Sequence, residues 1–254
     1  KIGYLIEIVD DTKQQKFIEL LNNYNAELEE TVKKKTAHIS DMQNKMVLGM
    51  ADIIESRDMN TGGHIKRTSG AIAIFTKELQ RFGEEFKFSN RFLENVIKAA
   101  PMHDLGKIAV DDRILRKPGK FTPEEFEEMK THSVKGAEIV ERVLSGVEDT
   151  EFVQLAINVA KYHHEKWNGQ GYPEKLGGLD IPPEARIMAL ADVFDALVSK
   201  RCYKEKMSYD EAFAIIEDSL GTHFDPVLGR LFINCREELE QFYNQALEED
   251  SEEK

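Results

Sequence analysis

Three apolar segments, residues 96–102, 152–162 and 185–198, constrain this chain most, because each is apolar on more than one helical face and reads as a helix buried in the middle of a domain. Each also carries side chains that such helices avoid. The first runs into His103 and Asp104, the second ends in His163 and His164, and the third contains Asp192 and Asp195. An unpaired carboxylate inside an apolar helix is costly, and metal ligation removes that cost. No period-2 run is long enough for a sheet, so from about Lys45 to Gln241 the chain is expected to be almost wholly helical.

The stretch Ala99-Ala100-Pro101-Met102-His103-Asp104-Leu105-Gly106-Lys107 holds an imidazole, a carboxylate and, at i+3 from the carboxylate, an ammonium that points the same way. Neutral imidazole and ionised carboxylate both ligate divalent cations, and the two oxygens of Asp104 allow it to bridge two ions. His132 follows Phe126 and Met129 at helical spacing and falls on a buried stripe. It reads as either a ligand or a hydrogen-bonded core histidine, and His64, after Thr61-Gly62-Gly63, leaves the same two readings open. His163 and His164 are adjacent, and adjacent helical positions diverge by about 100°. The pair is therefore expected to serve two ions, or one ion and a phosphate, rather than share one ion. Asp195, one turn after Asp192, is expected to support it. Together His64, His103, Asp104, His132, His163, His164 and Asp192 leave out only His38 and His223 among the seven histidines. Oxygen and imidazole ligands without thiolate suit Mn or Fe, with Zn, Ni and Mg as alternatives, in sites with open positions. Two ions bridged by Asp104 would supply hydroxide at neutral pH and hold a phosphodiester in line with it.

Composition narrows the partners. With 254 residues, of which 41% are hydrophobic and 32% charged, the chain can bury one large core and carry an appendage. A net charge of −13 argues against binding a nucleic-acid polymer, which needs a basic face. Cys202 and Cys235 are far apart and form no CxxC spacing, so neither a disulfide framework nor a thiolate site is indicated and a reducing cytoplasm is expected. No apolar run approaches the roughly 20 residues of a membrane span.

Residues 1–12 read as a short strand, Tyr4 to Val9, stopped by Asp10-Asp11-Thr12. One strand makes no domain, and the start at Lys1 without Met reads as a fragment of a longer chain whose missing part carries a sensor or anchor. Residues 13–50 read as a linker helix with a heptad that runs on to Ile53, with Ile18, Asn25, Val32, Ile39, Met46 and Ile53 at a and Leu21, Leu28, Lys35, Met42 and Gly49 at d. This seam fits a parallel dimeric coiled coil in which Asn25 fixes register; Lys35 and Gly49 weaken it and leave open a helix packed on its own domain. A strand feeding a dimeric helix resembles the exit of a PAS-type sensor. Capping boxes start helices near Pro123 (Thr122 with Glu125) and Tyr209 (Ser208 with Glu211). The acidic run at 246–254 reads as a solvated tail.

The order His103-Asp104-Leu105-Gly106-Lys107, His163-His164-Glu165 and Asn168-Gly169-Gln170-Gly171-Tyr172-Pro173 resembles the HD-GYP family of bacterial phosphohydrolases, which act on cyclic di-GMP. The likeness extends from about Ala51 to Phe232 and takes in Lys117-Pro118-Gly119, Ile181-Pro182, Arg201-Cys202-Tyr203-Lys204 and Gly221-Thr222-His223-Phe224-Asp225-Pro226. It implies an all-α, HD-type helical bundle over 51–245, behind a long N-terminal signalling helix. It further implies that the seven residues above ligate metal, that Asp104 and Lys107 are catalytic, and that Lys107 meets the scissile phosphate. Gly171, Tyr172 and Pro173 would line the site, while Arg201 and Lys204 would hold phosphates or guanine edges. His223 is read as closing the fold. Asn60 stands where some members carry a third-metal Glu, so two ions and the linear product pGpG are expected; Cys202 replaces a usual Pro and loosens the Arg201–Lys204 loop. Alternatives are 3′,3′-cyclic GMP-AMP as substrate, further cleavage to GMP, and a catalytically silent dinucleotide receptor.

Overall fold

Helices start where the sequence caps them. In the computed structural model, both expected capping boxes form: Thr122 opens α5 (Pro123–Val143) and Ser208 opens α8 (Tyr209–Asp218), each with the reciprocal glutamate bond. The structure describes residues 11–58, 63–82, 86, 88–199 and 206–252, with side chains to residue 248. The strand expected before Thr12, Asn60, and the Arg201–Lys204 segment lie outside the described residues. The other helices are α1 (Thr12–Glu55), α2 (His64–Arg81), α3 (Asn90–Ala99), α4 (Asp112–Leu115), α6 (Thr150–Tyr162), α7 (Pro183–Val198), α9 (Pro226–Asn234) and α10 (Arg236–Glu252). Among the described residues there is no strand, only isolated bridges at Asn168–Gly177 and Leu220–Phe224, and the fold is the expected all-α one. No described helix is long and apolar enough to cross a membrane.

The chain divides into two compact units, one ending at Met46 and one running from Val47. In the first, α1 is exposed at every position but half-buried Ser40, and the heptad residues Ile18, Leu21, Leu28, Val32 and Ile39 lie open to solvent. In the second, the three apolar segments are where the core is: α3 with the 3₁₀ turn Ala100–Met102, α6, and α7. Phe194 of α7 sits at its centre, its ring 4.9 Å from Phe213, 5.1 Å from Tyr243 and 5.6 Å from Phe232. Helix α2 packs on α3, α7, α9 and α10, and α5 packs on α6 and on the second 3₁₀ turn, Leu105–Ala109.

That last contact sets the distance between the two halves of the site. A side chain at Gly106 would fall on the His132 carbonyl oxygen and the Gly136 nitrogen, so only glycine lets α5 approach this closely. His132 is thereby brought beside Asp104. Phe126, expected on the same buried stripe, is exposed instead and faces the Tyr172 ring.

Candidate metal centre

Seven side chains from five segments converge in two groups. His64 from the start of α2, His103 after α3 and Asp192 from α7 form the first; Asp104, His132 from α5, and His163 and His164 from the end of α6 form the second. Within each group one ligand atom per residue lies within 4.8 Å of the others.

Four of the imidazoles have their outer nitrogen fixed. Nδ1 of His103 lies 2.8 Å from the Ala100 carbonyl, that of His132 2.7 Å from the Met129 carbonyl, and that of His163 3.0 Å from the Val159 carbonyl. A carbonyl only accepts, so each Nδ1 carries a proton and Nε2 is the atom turned inward, a bare lone pair wherever the ring is neutral. His64 Nδ1 is held in the same way by Asp195, at 2.8 Å. The inward nitrogens then face one another: His64 and His103 Nε2 atoms are 3.2 Å apart, and those of His132 and His163 are 3.5 Å apart. Lone pairs at such separations need a proton or a cation between them.

Asp104 joins the groups. Its Oδ2 lies 3.3 Å from His103 and 2.8 Å from Lys107, while its Oδ1 faces His132 at 3.5 Å and His163 at 3.8 Å. Oδ1 is buried and has no hydrogen-bond partner, a vacancy in bonding that a cation between the second group's nitrogens would fill. This donor set fits divalent metal.

Electrostatics separates the groups. For His103, burial opposes protonation but Asp104 prevails and raises its pKa to about 9. Burial, with His103 adding to it, brings His163 down to about 3, and burial also lowers His132 and His164. Burial works against ionised Asp104 and Asp192, yet Lys107 and His103 on the one, and His103 and His64 on the other, hold both below the usual carboxylate range. Lys107 is raised, burial being outweighed by Asp104 and Asp58, and bonds Asp58 at 3.1 Å.

Two expectations are corrected. His163 and His164 do face one group, because α6 ends at Tyr162 and His164 lies beyond the helix, where the 100° divergence no longer applies. Asp195 supports His64 rather than Asp192. It also takes Arg67 Nε at 2.7 Å and Ser199 Oγ at 3.1 Å, and although burial would raise its pKa, these donors keep it depressed.

The Gly-Tyr-Pro loop folds back on the second group. A side chain at Gly171 would strike the backbone of residues 164–166, and Tyr172 lays its ring 4.7 Å from that of His164. Burial raises the Tyr172 pKa, so its hydroxyl stays a donor. Pro173 follows in the same half-buried loop. A cavity of about 290 Å³ opens on the centre, reached by Asp104, Lys107, Tyr172 and Asp192. It is also lined by four ionisable residues that the sequence pattern does not single out for the site: Glu55, Asp58, Lys166 and His223. Glu55, the last residue of α1, accepts from the His64 nitrogen at 3.0 Å and the Ile65 nitrogen at 3.3 Å, so it caps α2 where His64 enters. No motif announces Glu55, Asp58 or Lys166; His223 was visible as a histidine in a glycine-led turn, but burial, then Lys166, lowers its pKa to about 4, and it stands apart from both groups.

An all-α bundle with a buried double His/Asp centre and an inward lysine is the architecture of a helical metal-site protein. The chain belongs to the HD domain family, whose model matches residues 48–228. It is 42% identical over 221 residues to a "Probable cyclic di-GMP phosphodiesterase" of Vibrio cholerae, covering 85% of this chain and 49% of that one. It is 37% identical to a "Cyclic di-GMP phosphodiesterase" of Thermotoga maritima (88% and 58% covered) and 35% identical to the "3′3′-cGAMP-specific phosphodiesterase 2" of Vibrio cholerae (77% and 35%). The chain thus spans about half the length, or less, of these relatives. The crystal structure of a cyclic GMP-AMP phosphodiesterase of V. cholerae (V-cGAP3) shares the fold at a TM-score of 0.50 and 21% identity, over 75% of this chain and 48% of that one.

Proposed function

We propose that this chain hydrolyses cyclic di-GMP to linear pGpG with two divalent cations, one on each group. The observation that carries the reading is Asp104, which turns one oxygen to each group while its Oδ1 lacks any other partner. When bound, two cations supply a hydroxide nucleophile at neutral pH and Lewis-acid stabilisation of a phosphodiester, and Fe or Mn best suits this imidazole and carboxylate set. His64, His103 and Asp192 would hold one, His132, His163 and His164 would hold the other, and Asp104 would serve both.

The remaining residues act on the substrate. Lys107 stays protonated between Asp104 and Asp58, so its ammonium offsets the negative charge that grows on the scissile phosphate. Gly171 lets the loop backbone close in, and Tyr172 and Pro173 wall the site beside His164. Arg201 and Lys204 retain the role of holding phosphates or guanine edges. The relatives named for cyclic GMP-AMP support a second reading, in which that dinucleotide is the preferred substrate.

The exposed heptad of α1 supports a parallel homodimer through residues 13–50, driven by an upstream sensor in a bacterial cytoplasm. A cysteine at Leu28 is expected to cross-link two chains. Turnover of cyclic di-GMP and cyclic GMP-AMP under anaerobic conditions with Mn²⁺ or Fe²⁺ tests the activity. Accumulation of pGpG from cyclic di-GMP is expected; tight binding with no product would make the chain a receptor and overturn the reading.

A further inference from the structure

The cavity holds two described lysines in opposite circumstances. Lys107 is neutralised, lying 2.8 Å from Asp104 and 3.1 Å from Asp58. Lys166 also lines the cavity and is half-buried, yet among the described residues no carboxylate pairs with its ammonium. Two other half-buried cations of this acidic chain do have such partners: Lys161 has Glu174 at 2.8 Å and Arg186 has Asp225 at 2.6 Å. An ammonium left without a carboxylate at the wall of a cavity selects an anionic oxygen from outside.

The backbone around Lys166 is pinned. The Trp167 nitrogen donates to the His223 carbonyl at 3.0 Å and the Asn168 nitrogen to the Thr222 carbonyl at 2.9 Å, so the loop after His164 is stitched to the turn before α9. That turn is fixed in its own right by the His223 nitrogen on the Ser219 carbonyl at 2.9 Å and by Arg186 on Asp225. Lys166 and His223 therefore reach the cavity together from two braced segments. His223 stacks on Phe224 with the ring centroids 4.4 Å apart, and among the described residues its ring nitrogens take no hydrogen bond.

A cyclic dinucleotide carries two phosphodiesters on opposite sides of its ring, and only one can be cut at a time. We propose that Lys166 and His223 bind the phosphate that is not being cut, Lys166 through its charge and His223 as a hydrogen-bond donor. This inference rests on the cyclic dinucleotide reading above. It assigns the two sides of one cavity to the two phosphates, with Lys107 on the scissile side.

The test uses the full chain with Lys166→Gln, Lys166→Arg and His223→Gln, on cyclic di-GMP and on bis(4-nitrophenyl) phosphate, which has a single phosphodiester. For Lys166→Gln, KM for cyclic di-GMP and its Kd by equilibrium dialysis are expected to rise about tenfold to a hundredfold, the range of one charge-assisted hydrogen bond. The accompanying change in kcat is expected to stay within about threefold, and the kcat/KM loss on the one-phosphate diester to be at least about tenfold smaller. Lys166→Arg is expected to recover most of the affinity, and His223→Gln to lose less than Lys166→Gln. Equal losses on the two substrates, or an unchanged KM and Kd for cyclic di-GMP, would overturn the inference. So would an affinity loss for cyclic di-GMP with none for its adenine analogue, since that would move the contact to a base. A parent chain that cleaves bis(4-nitrophenyl) phosphate but neither binds nor cleaves any cyclic dinucleotide would refute the functional reading, and this inference with it.

Discussion

Asp104 lies between the two groups of side chains, which are otherwise built differently. The first, His64, His103 and Asp192, offers three ligands and leans on a buried ion pair: Asp195 holds His64 at 2.8 Å and Arg67 at 2.7 Å, both partners being almost fully buried. The second offers three imidazoles besides Asp104, and His132 and His163 have their outer nitrogens on helix carbonyls, with no charge behind them. The metal-free first group also carries a proton on His103 near neutrality, while the second carries none on His163. One group is thus stabilised by charge and the other by backbone, and they should respond differently to the same perturbation.

The largest effect is expected where the groups meet. Asp104→Ala removes a ligand from both and leaves Lys107 with Asp58 alone, so metal content by elemental analysis should fall from about two ions per chain to below one. Phosphodiester turnover should fall by about a thousandfold or more. Normal loading in that variant would break the idea of a shared ligand.

Asp195→Asn separates the groups. Loss of a partner behind a ligating imidazole typically costs about tenfold to a hundredfold in metal affinity, here confined to the first group. The same change removes the carboxylate charge 2.7 Å from buried Arg67, and the loss of stability that follows is measurable by denaturant unfolding. An equal drop in affinity at both groups would mean that the ion pair braces the whole centre rather than His64.

The smallest effect is a proton count. In the metal-free chain His103 titrates near pH 9, so below that pH loading the first group must expel about one proton, and its affinity should rise as pH increases toward 9. His163, brought down to about 3, is already deprotonated at neutral pH, so loading the second group should release none from it. Calorimetry in buffers of different ionisation enthalpy reads the difference directly.

How much of this the sequence carries depends on the kind of signal. The helices are legible because apolar periodicity and the Thr122 and Ser208 boxes are local, and the ligand-type side chains stand out because a polar group in an apolar helix is conspicuous. How they group is not legible. That His163 and His164 face one group depends on where α6 stops, and that Asp195 serves His64 depends on how α2 packs against α7. Glu55 and Asp58 lie at the end of a heptad helix that gives no hint of the cavity, and Lys166 acquires meaning only because no carboxylate among the described residues pairs with it, a property of three-dimensional neighbours. His223 reads from sequence as part of a closing turn, and it is one; the pairing of residues 167 and 168 with 222 and 223 is what also delivers its ring to the site.

The central claim is that side chains from five segments clasp a pair of cations across one carboxylate. Anomalous diffraction at the manganese edge, from crystals of the full chain loaded with Mn²⁺, tests it most directly. Two peaks are expected, one among His64, His103 and Asp192 and one among His132, His163 and His164, both within bonding reach of Asp104. A single peak, or two that do not share that carboxylate, would contradict it.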